Sequence, residues 1–153
     1  MCYRGGCFMI SVDEYKKKTQ ETGEDYPLLT LEEFFVDNND EYSIAPNQAE
    51  EGRPSLDEIY AKFKSLESKD DIAWIRVILH DDTEIIESED GEEMALYGDS
   101  ICVCTCISQE DVEALVDYDW LQSGGALEID IAEYANNYPE IPKNYHCLRI
   151  EWD

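Results

Sequence analysis

"SICVCTCIS", residues 100–108, sets three cysteines at every second position of a short apolar run, and how it is read decides the fold. In an extended strand Cys102, Cys104 and Cys106 share one face, while Ile101, Val103, Thr105 and Ile107 share the other. Same-face neighbours then lie ~6.5–7 Å apart along the strand. Two thiolates on one tetrahedral zinc need sulfurs roughly 3.8 Å apart, given a Zn–S bond of ~2.3 Å. A regular strand therefore holds these thiols too far apart to chelate, and too far apart for a disulfide between i and i+2. Free cysteine packs as a small hydrophobe. The stretch predicts a central strand.

Working outward, "DIAWIRVIL" (71–79) is nearly continuous in Ile, Val and Trp, as a strand buried on both faces would be. "HDDT" reads as a turn into "EIIE", its expected hairpin partner. "ALEIDIA" (126–132) and "YHCLRIEW" (145–152) supply further strands. "ESEDGEEMALYGD" and "NNYPEIPKN" read as loops. Four helix starts carry a Ser or Thr followed three residues later by an acid: Ser11/Glu14, Thr30/Glu33, Ser55/Glu58 and Ser108/Asp111. The third opens a helix over 55–68, with Leu56, Ile59, Tyr60, Phe63 and Leu66 on one face. The fourth opens a shorter helix with Val112, Leu115 and Val116 inward.

From residue 42 the order is strand "YSIA", helix, strand, strand, helix, strand. This βαββαβ order resembles the ferredoxin-like sandwich, an antiparallel sheet with two helices on one face. The expectation is one α+β domain over 1–153, with residues 1–40 as an N-terminal helical extension. The length suits a single core, and that fold by itself assigns no function.

Charge limits the function more sharply. The chain has 37 acids against 11 bases, a formal net charge of −26. Nucleic acid and acidic membrane surfaces are disfavoured as partners, because both are bound through clustered Lys and Arg; Lys16, Lys17 and Lys18 form the one small basic run. Ten tyrosines and three tryptophans argue against disorder. The opening stretch lacks a secretory pattern, and six cysteines in a chain so rich in core residues read as reduced thiols. A cytoplasmic location is expected.

Specific chemistry is harder to find. Asp37, Asn39 and Glu41 begin like a calcium loop, but Tyr42 and Gln48 stand where the turn glycine and bidentate glutamate are required. His80 beside Asp81 and Asp82 reads as a solvated turn histidine. Cys2 is a nucleophile only if the chain is processed to expose its amine; Met9 offers a second start.

Eight carboxylates lie between Asp81 and Glu93 with no base among them. The leading expectation is a non-enzymatic acidic binding protein for a basic macromolecule, as an inhibitor, an immunity-type protein or a nucleic-acid mimic. Its expected contact residues are Asp81, Asp82, Glu84, Glu87, Glu89, Asp90, Glu92 and Glu93, with Tyr97 as an aromatic anchor. A second patch of Asp37, Asp40, Glu41, Glu50 and Glu51, with Tyr42, is a further candidate. No catalytic residue, metal or cofactor is assigned. One alternative is a metal- or thiol-dependent protein, an enzyme among the options, using Cys102, Cys104 and Cys106 with Cys147 or the N-terminal Cys2 and Cys7. Another is acidity serving solubility alone.

Overall fold

The structure is a computed structural model that describes residues 9–153. In chain order its elements are α1 (Val12–Thr22), α2 (Leu31–Phe35), α3 (Pro46–Ala49), α4 (Leu56–Glu67), β1 (Ile72–Leu79), β2 (Glu84–Ser88), β3 (Gly91–Ala95), β4 (Gly98–Thr105), α5 (Gln109–Val116), α6 (Tyr118–Leu121), β5 (Ala126–Ile129) and β6 (His146–Glu151). A 3-10 turn, Ile131–Glu133, follows β5. Among the described residues no helix is long and apolar enough to cross a membrane.

β4 lies inside a four-stranded antiparallel sheet of order β1-β4-β6-β5. Its alternation sorts two packed faces. Ile101 and Val103 point with Ile75, Val77, Leu148 and Ile150 toward a core filled by Ile59 and Phe63 of α4 and Val112 and Val116 of α5. Cys102 and Cys104 point the other way, to Trp74, Ile78, Cys147, Ile131, Ala135 and Leu28. From Ser100 to Thr105 β4 is buried on both faces, which is why its run reads as continuously apolar.

The coverings are held by specific bonds. Asn137 grips both backbone groups of Leu28, accepting its N–H at 2.9 Å and donating to its carbonyl at 3.0 Å. The Trp74 indole N–H donates to the Glu140 carbonyl at 3.0 Å, so the proline-bearing loop is clamped over the cysteine face.

All four expected helix starts are present. Ser11, Thr30 and Ser55 each close a reciprocal capping box with Glu14, Glu33 and Glu58, while Ser108 accepts the Asp111 N–H at 3.1 Å. Such a cap contributes roughly 1 kcal/mol.

Three expectations need correction. Residues 42–45 form no strand: Ile44 makes one isolated bridge to Gly98. The buried Arg53 guanidinium donates to the carbonyls of Glu41, Ile44 and Ala45, taking the acceptors that a strand ladder would use. The sheet therefore does not show the ferredoxin-like order. Second, "EIIE" pairs with β3 and not with β1. One edge of β1 is occupied by β4, and Leu29 exchanges two backbone bonds with Val77 on the other, at 2.8 and 3.1 Å. The stretch read as an acidic loop instead supplies β3, after a turn closed by Gly91 at φ 115°. Third, Cys106 lies beyond the end of β4 and is exposed, so it does not share the buried face of Cys102 and Cys104.

Candidate functional site

The hairpin of β2 and β3 stands apart from the main sheet, and its residues divide by alternation. Ile85 and Met94 face each other and pack against the core. Glu87 and Glu92 continue that side, directly opposite one another. The other side carries Glu84 and Ile86, with Glu93 across from Ile86; Ile86 is 45% exposed. Glu89 and Asp90 occupy the turn. Six of the eight carboxylates of 81–93 thus spread over two faces and the tip of one projection, Asp81 and Asp82 lie in the turn before it, and all eight are exposed.

Cations do little to neutralise them. Lys16 of α1 reaches Glu92 at 2.8 Å, and no other Lys or Arg pairs with these carboxylates among the described residues. The Lys16 pKa is raised, first by its hydrogen bond to Glu92. Like charges directly opposite on a strand pair, as at Glu87 and Glu92, oppose folding.

Before β2 the chain turns at His80, Asp81 and Asp82. One donor atom from each lies within 4.8 Å of the others. His80 Nδ1 is 3.1 Å from Asp81 Oδ1, but it also takes the Asp82 N–H at 3.0 Å. A nitrogen engaged by a backbone N–H has no lone pair left for a metal, so the turn's own bonding accounts for this trio. Tyr97 is half-buried, fixed through its backbone by His80 and Thr83: His80 N–H and Thr83 Oγ1 donate to its carbonyl at 2.8 and 2.9 Å.

In the second candidate patch Asp37, Glu50 and Glu51 are exposed, while Glu41 and Asp40 have structural tasks. Glu41 pairs with Arg53 at 3.2 Å and accepts the Leu56 N–H at 3.2 Å. Asp40 accepts the Tyr42 N–H at 3.0 Å within its own turn. Tyr42 itself is 53% exposed.

The thiols gather differently from the sequence pattern. Cys147 of β6 stands opposite Cys104 of β4, and with Cys102 they lie buried on one sheet face. Hydrogen bonding to Cys147, then burial, pushes the Cys102 and Cys104 thiols far above their usual range. The same bonds, from Cys102 and then Cys104, pull Cys147 below it. Cys106 sits apart, its Sγ 3.7 Å from Asp71 Oδ1. Cys2 and Cys7 lie outside the described residues. Nucleophilic use of the buried trio is opposed by access, since Cys147 is 3% exposed.

Two features escaped the sequence reading. Arg53 gave no periodic signal, because its partners are carbonyls of a neighbouring loop. The Asp90–Gly91 pair is a hairpin signal that high local charge masked.

A protein of Escherichia coli (strain K12), described as "Uncharacterized protein YfbO", is 28% identical to this chain over 127 residues, 83% of each. No solved structure matches. The model of the Uncharacterized protein YfbO family matches residues 10–150, and the chain belongs to that family.

Proposed function

We propose that this chain is a non-enzymatic acidic binding protein that associates in the cytoplasm with a basic macromolecule, in an inhibitor, immunity-type or nucleic-acid-mimic role. The observation that carries the reading is the hairpin. Glu84, Glu87, Glu89, Asp90 and Glu93 have no cationic partner among the described residues, yet they crowd a two-stranded projection that gains nothing in stability from them. Charge placed against stability in this way serves encounter: a field of one sign steers an opposite partner and speeds its capture.

The test is affinity capture from extract of the native organism at low and high salt. It compares the wild type with a variant carrying Glu84→Lys, Glu87→Lys, Glu89→Lys and Glu93→Lys. The reading expects at least one basic protein held by the wild type at low salt and lost both in high salt and on the variant. Identical partner sets on both proteins would overturn it.

A further inference from the structure

Three neighbouring depressions, the first beside the hairpin, share lining residues in series. The first, of about 330 Å3, lies between Asp82, Glu84, Ile86 and Tyr97. It shares Asp82 and Tyr97 with a second of about 100 Å3, which adds Tyr42, Pro46 and His80. That one shares Pro46, His80 and Gly98 with a third of about 240 Å3, reaching Asp99, Trp152 and Asp153. No Lys or Arg lines any of the three. The walls are held independently of what fills the groove. Arg53 pins the carbonyls of Glu41, Ile44 and Ala45 around Tyr42, and the backbone bonds of Thr83 and His80 fix Tyr97. Among the described residues the hydroxyls of Tyr42 and Tyr97 have no protein hydrogen-bond partner, so neither phenol group is tied down by the fold.

We propose that this groove receives an extended, arginine-bearing segment of the basic partner, with guanidinium groups against Tyr42 and Tyr97 and paired with Asp82 and Glu84. The proposal rests on the reading of the protein as an acidic binder and assigns that reading a location and a ligand chemistry. A guanidinium is planar, stacks on aromatic faces and meets a carboxylate in two parallel bonds; an ammonium does neither as well. Aromatic walls beside carboxylates therefore select arginine over lysine, which a bare acidic surface would not. A row of small, open depressions suits an extended chain better than a compact small molecule.

The test uses a capped peptide of alternating arginine and alanine, and its lysine counterpart, against the full chain at low salt. Backbone amide shifts are followed by NMR and affinity by titration. Expected are shifts centred on His80, Tyr97 and Gly98, tighter binding of the arginine peptide, and about a five-fold loss of affinity for Tyr42→Ala and for Tyr97→Ala. Neither substitution changes charge, and circular dichroism confirms that each variant is folded. Binding with shifts confined to Glu87, Glu89 and Asp90, or equal affinity for both peptides, would overturn the groove while leaving the acidic-binder reading standing. Absence of binding by either peptide at low salt would overturn both.

Discussion

Glu87 and Glu92 stand directly opposite each other across the β2–β3 pair, and Lys16 closes on Glu92 at 2.8 Å. The lysine bonds one member of a repulsive pair and feels the other only at longer range, with no ion pair to Glu87 within 4 Å among the described residues. Glu87→Gln should therefore stabilise the protein, by roughly 0.2–1 kcal/mol, while weakening partner capture. Urea unfolding of variant and wild type checks the first half. A destabilised variant would mean that Glu87 has a structural role.

Arg53 is expected to matter far more. Its guanidinium is buried and satisfies carbonyls of Glu41, Ile44, Ala45 and Pro54. Arg53→Met keeps much of the side-chain volume but orphans those acceptors. The loss should be about 3 kcal/mol, read from the urea midpoint.

The thiols should divide by access. Under native conditions N-ethylmaleimide should modify Cys106 well before Cys102, Cys104 or Cys147, because Cys106 alone of these four is exposed. Peptide mapping by mass spectrometry assigns the order. Early labelling of Cys147 would show that the clamped loop opens readily.

Tyr15 supplies a pH signature. Burial, then the proximity of Tyr26 and Asp25, raises its pKa from the ordinary 10.0 to about 12, and its hydroxyl donates to the Asp25 carbonyl at 2.6 Å. Above pH ~10 the unfolded chain releases this proton while the folded chain retains it. Stability contributed by Tyr15 is therefore complete below that pH and falls as pH rises toward about 12. Tyr15→Phe should flatten this part of the stability profile.

Local signals carried most of the fold. Caps and alternation are properties of a few adjacent residues, so Ser11, Thr30, Ser55 and Ser108 marked helices and Cys102–Cys104 marked a buried strand. Pairing is not local: whether β2 joins β1 or β3 depends on Leu29 already sitting on the β1 edge. Residues 42–45 misled for the same reason, since Arg53, eight residues past Ala45, takes their carbonyls. At the candidate site, sequence named the carboxylates but not their division between two hairpin faces. Nor could it place Tyr42 beside Tyr97, which only folding brings to one cleft.

The most direct test of steering by the hairpin charge is the association rate of a captured basic partner as ionic strength rises. The account predicts a fall in kon of at least about ten-fold from low to physiological-plus salt. The wild-type advantage over the variant carrying Glu84→Lys, Glu87→Lys, Glu89→Lys and Glu93→Lys should vanish at the upper end. An association rate indifferent to salt and to those four reversals would contradict it.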